Sequence, residues 1–296
     1  MAQTITQDML AAVARASAWL EPSAKERIAA FTAAQQQPDG GFCGRDGTDS
    51  DLYYTVFGAA VLDVFGQRHR LKPLRGYVRS FADGRDLDFV HLVCLARLHA
   101  RTAPWGGLSR RRILRAIERY RSANGGYHHS RQNAAHGTTY AAFLATLAYT
   151  DCSRPLPRRE ALLESIEATR TPDGAYANEV NASSGHTNAT AAAVLVRHWF
   201  GMNADRAVAD WLMGRHDARG GFRANPRAPI PDLLSTATAL FALQVMDTSL
   251  DPIREACTEF VDLLWQDNGG FSGHPADDVP DCEYTFYALL ALGILR

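Results

Sequence analysis

An all-α fold, a ring of about six helical hairpins in two concentric layers (an α/α toroid), is what this sequence predicts. Three observations carry the prediction. A short phrase built on Gly-Gly-aromatic recurs along the chain. A half-polar helical pattern precedes each copy. An almost wholly apolar segment follows each copy.

The phrases are PDGGFCG, ANGGYHH, PDGAYAN, ARGGFRA and DNGGFSG, with aromatics at Phe42, Tyr127, Tyr176, Phe222 and Phe271. The last four stand 49, 46 and 49 residues apart, while 85 residues separate Phe42 from Tyr127. That gap holds two repeats. A degenerate copy is therefore expected near Phe81-Ala82-Asp83-Gly84, with Trp105-Gly106-Gly107-Leu108 as an out-of-register echo. Segments such as RRRILRAIERYRSA and DPIREACTEFVDLLWQ come before the phrases and place apolar residues at three- and four-residue spacing, the mark of a helix with one buried face. The first glycine of each phrase is expected to close that helix in the left-handed conformation. YYTVFGAAVLDVF, TTYAAFLATLAY, TNATAAAVLVRHWF, LLSTATALFALQVM and YTFYALLALGIL come after; a helix without a polar face is buried on most sides. Short links such as Gly201-Met202-Asn203-Ala204 and Asp247-Thr248-Ser249-Leu250 make neighbours antiparallel. All inner helices then point one way, with their N-termini at one rim.

Residues 1–24 read as a helix packing on the ring, since Asp8 and Arg15 interrupt its apolar positions and a signal peptide would not carry them. One domain spanning 1–296 is expected. A net charge of −1 argues against nucleic acid as a partner. No apolar run reaches the length of a membrane span, and the five scattered cysteines form neither a disulfide framework nor a zinc ribbon. A cytoplasmic location is expected.

Helix N-termini meeting at a mouth offer unpaired N–H groups to an anionic head group, above a cavity walled by apolar side chains that suits a greasy tail. The polar residues expected there include the carboxylates Asp51, Asp88, Asp232, Asp281 and Glu283, as proton donor or cation stabiliser. Substrate contacts are expected from His136, His186, Arg223, Arg227, Tyr54, Tyr140 and Tyr284. A second reading stands beside this one. Asp51, Asp86, Asp232 and Asp281 lie where inner helices begin, and aspartate is a preferred N-cap; the tyrosines also serve as wall residues. Asp277-Asp278 reads as solvated surface.

The repeat resembles that of the prenyltransferase and squalene-cyclase superfamily over roughly residues 25–296. That group holds the β subunits of protein prenyltransferases and the barrel domains of class II terpene cyclases. The resemblance implies a toroid and an isoprenoid substrate. Gly174-Ala175-Tyr176 through Gly185-His186-Thr187 is similar to the segment with the family's diphosphate-binding histidine, which falls on His186. Asp232 matches a zinc-binding aspartate, but Leu234 stands in place of the zinc cysteine and Tyr284 in place of the zinc histidine. Zinc needs three or four placed donors, so no metal ligands are assigned. No cofactor is expected beyond magnesium with a diphosphate substrate. The cyclases' Asp-x-Asp-Asp is absent, with Asp49-Ser50-Asp51 and Asp86-Leu87-Asp88 the nearest approaches.

The reading of function is a zinc-independent prenyltransferase- or terpene-cyclase-like enzyme acting on an isoprenoid. The alternative is a non-catalytic isoprenoid-binding or scaffold protein that keeps the fold. A zinc-dependent protein prenyltransferase ranks third. A protein partner or a homodimer is left open, as are substrate and product.

Overall fold

The computed structural model describes residues 3–102, 107–203 and 205–296. Trp105 and Gly106 of the out-of-register echo, and Ala204 of one short link, lie outside the described residues. The helices are α1 (Ile5–Trp19), α2 (Pro22–Ala34), α3 (Leu52–Val64), α4 (Leu74–Ser80), α5 (Phe89–Thr102), α6 (Gly107–Ile117), α7 (Thr139–Asp151), α8 (Arg159–Glu167), α9 (Thr187–Trp199), α10 (Arg206–Met213), α11 (Leu233–Val245), α12 (Arg254–Leu263) and α13 (Cys282–Leu295). Among the described residues the only sheet is a two-residue pair, β1 (Phe42–Cys43) against β2 (Ser50–Asp51). The degenerate second repeat still supplies its helix pair, α4 and α5.

The chain falls into two compact units. Unit one holds Val78–Trp211 and the start of the chain to Thr6; unit two holds Gln7–Tyr77 and Leu212–Arg296. In unit one α7 packs between α5 and α9. In unit two the last helix, α13, packs between α11 and α3, so the end of the chain lies beside its first apolar helix. The N-terminal helix ends at Trp19 and lies on α13. An added Cβ at Gly293 would stand 1.8 Å from the Ala12 carbonyl oxygen, and Arg15 Nε donates to the Gly293 carbonyl at 2.9 Å.

The glycine phrases act differently from expectation. Helix α2 ends at Ala34, six residues before Gly40, and α12 ends at Leu263, six before Gly269, so the glycine does not close the helix. It turns a tight hairpin instead. Gly40 N–H donates to Gln37 O and Gln37 N–H to Gly41 O, both at 2.9 Å. The same pair of bonds recurs at Ser122/Gly125/Gly126, Thr171/Gly174/Ala175, Asp217/Gly220/Gly221 and Gln266/Gly269/Gly270. The turn's first glycine has φ between 78° and 96° in all five, a region that side chains disfavour.

Each hairpin presents its aromatic to the apolar helix that follows. The backbone N–H groups of Phe42, Tyr176, Phe222 and Phe271 donate to the hydroxyls of Thr55, Thr190, Thr236 and Thr285 at 2.9, 3.1, 2.9 and 3.3 Å. Three of these threonines donate onward to the carbonyl four residues back, at Asp51, Asp232 and Asp281. Thr190 donates to the Tyr176 carbonyl. All four threonines are fully buried, so each hydroxyl is the available partner for a backbone group that water does not reach.

Where the aromatic is tyrosine, the preceding helix carries its partner. Glu118 accepts from Tyr127 and Tyr149 at 2.5 and 2.6 Å and pairs with Arg121 at 2.8 Å. Glu167 accepts from Tyr176 at 3.0 Å and pairs with Arg170 and Arg197. Burial would push the Glu118 carboxyl up, but those three donors hold it below the ordinary range.

Replacing Thr236 by valine should leave the buried Phe222 N–H unpaired and lower unfolding free energy by about 2 kcal/mol. Thr258 Oγ1 donates only to its own helix, so Thr258→Val should stay within about 0.5 kcal/mol. Urea unfolding of both variants against the parent chain measures the difference; equal losses would remove the clamp from the account.

Candidate active site

The apolar helices begin on caps. Asp51 accepts from the Tyr53 and Tyr54 N–H groups at 2.7 and 3.2 Å. Asp232 accepts from the N–H and hydroxyl of Ser235, both at 2.7 Å. Asp281 accepts from Tyr284 N–H at 2.8 Å. In unit one, Asp88 accepts from His91 N–H at 2.9 Å and Thr138 from Ala141 N–H at 3.2 Å. Four of the five expected catalytic carboxylates are therefore N-caps, and Glu283 alone is not.

The next repeat takes up further N–H groups. Thr139 and Tyr140 donate to Asn178 O and Oδ1, each at 3.0 Å, and Leu233 donates to Gly273 O at 2.8 Å. Asn178 and Gly273 stand at the same place in their repeats, two residues past the aromatic. The open N–H groups expected for an anionic head group are in use at these ends. Among these apolar helices α9 begins on a residue, His186, whose side chain makes no capping bond; His186 is exposed.

The expected head-group residues are shared between the two units. Tyr140, His136 and His186 belong to unit one, Arg223 and Arg227 to unit two. Arg223 Nε stands 3.4 Å from Asp217, whose carboxylate also holds Arg219 at 2.8 Å. Arg227 is exposed, and its backbone N–H bonds Asn225. His136 lines a cavity of about 260 Å³ with His128, Arg131, Thr138 and Glu179. There His128 stacks on His129, and burial with Arg131 nearby lowers its pKa; the His129 ring meets Tyr140 edge-on at 6.1 Å.

Unit two gathers the strongest chemistry at the seam of α3 and α13. Tyr53 and Glu283 each stand two residues past a cap, on neighbouring helices. Tyr53 OH donates to Glu283 Oε1 at 2.5 Å. One turn further, Phe57 lies 5.6 Å from the Tyr287 ring, 5.5 Å from Phe286 and 5.1 Å from Tyr53. The two helices thus run parallel, and the seam passes from acid to aromatic over one turn.

Burial pushes the Glu283 carboxyl up to about 7, against the Tyr53 hydrogen bond and with help from the Asp281 charge. Burial pushes Asp281 up to about 6, against the Tyr284 N–H and Arg45. Asp281 Oδ2 is buried without a hydrogen-bond partner, with Arg45 Nε 3.5 Å away. Tyr54 and Tyr284 are both pushed up to about 12, chiefly by burial, and so stay neutral donors.

Three residues of this cluster were not among the expected ones. Arg45, from the loop between β1 and β2, grips Asp277 at 2.5 and 2.7 Å and the Val279 carbonyl at 2.7 Å. Asp277 is therefore an anchor and not solvated surface; it also accepts from Gly273 and Val279 N–H. Tyr53 was legible in principle, because it shares the register of Glu283 in its repeat. Arg45 and Asp277 sit in loops with no periodicity to flag them.

The family's zinc set does not fit these residues. Both oxygens of Asp232 are occupied by Ser235, Leu234 has no donor atom, and Tyr284 offers a phenol whose pKa is raised. Among the described residues no three His, Cys, Asp or Glu side chains converge on a metal position. No described helix is long and apolar enough to cross a membrane.

A carboxyl whose pKa is raised in the folded chain loses stability as pH climbs from its unfolded value to its folded one. For Glu283 that window runs from 4.5 to about 7. Glu283→Gln should therefore gain stability relative to the parent chain between pH 4 and pH 8. Denaturant unfolding at the two pH values reads this, and a pH-independent difference would contradict the buried-acid assignment.

Residues 8–83, 87–208 and 189–296 match the prenyltransferase α/α toroid domain. No curated protein sequence matches. The type II terpene cyclase MstE from Scytonema, as a variant in complex with geranylgeranyl dihydroxybenzoate (substrate), is similar at TM-score 0.63 and 13% identity, covering 96% of this chain and 97% of that one. Candida albicans protein geranylgeranyltransferase-I complexed with GGPP is similar at TM-score 0.53 and 14% identity, covering 73% and 86%. A glycosidase variant in complex with glucose is similar at TM-score 0.61 and 12% identity, covering 94% and 100%. At such identities the likeness is one of fold, not of reaction. The chain belongs to the prenyltransferase α/α toroid domain family, and its fold class is that family's all-α toroid.

Proposed function

We propose that this chain is a zinc-independent enzyme of the terpene-cyclase kind, acting on an isoprenoid with Glu283 as the proton donor. One observation carries the reading: a buried carboxyl that keeps its proton near neutrality stands one helical turn from a cluster of aromatic rings. An acid poised near the working pH is suited to proton transfer. Aromatic faces stabilise positive charge without acting as nucleophiles.

The chemistry follows from that pairing. The Glu283 proton passes to one carbon of an isoprenoid double bond, whose π electrons form the new C–H bond. Positive charge appears on the more substituted carbon, where the rings of Tyr53, Phe57, Phe286 and Tyr287 and the Asp281 carboxylate stabilise it. Attack by a second double bond closes a ring, loss of a proton from a neighbouring carbon to water ends the sequence, and the Glu283 carboxylate takes up a proton from solvent. The product is an isomer of the substrate. Tyr53 orients the Glu283 carboxyl throughout.

Arg223, engaged by Asp217, and the crowd of carboxylates in unit two argue against diphosphate chemistry at this cluster. The type of substrate that best suits it is a prenylated molecule presenting an alkene end, of the sort named for the MstE complex. Proton transfer from a carboxylic acid to an alkene needs no metal ion for this step.

Incubation with geranylgeranyl dihydroxybenzoate and with geranylgeranyl diphosphate, followed by mass spectrometry and chromatography, tests the reading. A product of unchanged mass and altered retention is expected. Glu283→Gln should cut the rate at least about 100-fold while substrate binding persists. Full activity in that variant removes the acid assignment. Tight binding without conversion by the parent chain would favour a non-catalytic isoprenoid-binding protein.

A further inference from the structure

The two raised carboxyls of unit two are not equivalent, and the difference lies in a residue outside both helices. Arg45 is carried by the β1–β2 loop and fixed by three hydrogen bonds to Asp277 and the Val279 carbonyl. Its guanidinium carbon lies 5.6 Å from the centre of the Tyr284 ring. From that anchor Nε stands 3.5 Å from Asp281 Oδ2, which makes no hydrogen bond of its own. Glu283 is held from the other side by a neutral phenol, Tyr53.

Resting on the reading of Glu283 as the acid, we infer that Arg45 is a positioning residue that keeps Asp281 ionised and so assigns the single transferable proton to Glu283. Arg45 needs no contact with substrate for this. Asp277 anchors the guanidinium and fixes where its remaining face points, although its own charge opposes the ionisation of Asp281.

The groups facing the pair are few. Asp277, Tyr284 and Arg45 surround Asp281, with the N–H groups of Glu283 and Tyr284 on its other oxygen. Tyr53, Asp281 and Arg45 act on Glu283. Tyr54 feels Asp281, Glu283, Arg45 and Asp51. Arg45 is the only cation among them. Without it two adjacent carboxyls compete for a proton, and like charges in a buried site raise each other's pKa.

The test is a titration that needs no turnover. Asp and Glu carboxyl carbons are labelled with carbon-13, the two signals are assigned with Asp281→Asn and Glu283→Gln, and midpoints are followed by NMR. In the parent chain Asp281 should titrate below Glu283. Arg45→Met should raise the Asp281 midpoint by about one pH unit or more, bringing it level with or above Glu283, and Arg45→Lys should restore the order. If Arg45→Met fails to fold, Arg45→Gln against Arg45→Lys gives the same comparison. Midpoints unmoved in these variants would overturn the role of Arg45, whatever activity is found. Loss of turnover in Glu283→Gln together with unmoved midpoints would leave the acid standing and remove only the positioning residue.

Discussion

A buried backbone N–H at one aromatic residue per repeat is the constraint on which the rest of the architecture depends. Phe42, Tyr176, Phe222 and Phe271 drive their rings into apolar surroundings, and the peptide group goes with them. The group must be satisfied, since an orphaned buried donor costs about as much as a large fraction of a domain's net stability. The threonine four residues past the start of the helix supplies the acceptor, and at three of the four its hydroxyl donates to the cap carbonyl. Hairpin, aromatic and helix start are thereby locked into one unit whose geometry repeats. In the third repeat, position 142 is alanine, and Tyr127 is held at its far end by Glu118 and Arg121.

That lock determines what a helix start can offer chemically. A parallel set of apolar helices would present a row of open N–H groups, and such a row attracts anions. Here the caps and the loops of the following repeat consume them. What remains variable is the residue two positions past each cap. Those residues are Tyr53, Val90, Tyr140, Asn188, Leu234 and Glu283, and the pair Tyr53 and Glu283 joins an acid to a donor across a helix seam. The Tyr53–Glu283 pairing is therefore set by the register of the repeat rather than by a contiguous motif.

This explains what could be read in advance. Helix type, repeat period and the place of the caps follow from periodicity, glycine and aspartate, each a local signal; the toroid was legible for that reason. The closing role of the glycines was not. A positive φ is equally at home in a helix C-cap and in a tight turn, and only the bonds between Gln37 and Gly41 distinguish them. The candidate carboxylates were found as a group but not ranked, because capping and catalysis call for the same residue at the same place. Arg45 and Asp277 are 232 residues apart in loops of no period, so their pairing has no sequence signature.

The ranking emerges once the two demands on Asp281 are set against each other. As a cap it faces the N–H of Tyr284 and the positive end of α13, both of which favour the carboxylate. As a buried group it is driven toward the neutral acid. Arg45 at 3.5 Å weighs on the side of the charge. Glu283 lies two residues along the same helix end without a capping bond, held by a neutral hydroxyl and acted on by the charge of Asp281. A cap that surrendered its charge would loosen the helix start, whereas Glu283 can lose and regain a proton with the cap intact. Structural duty at position 281 thus leaves position 283 as the place where a proton can be kept for transfer.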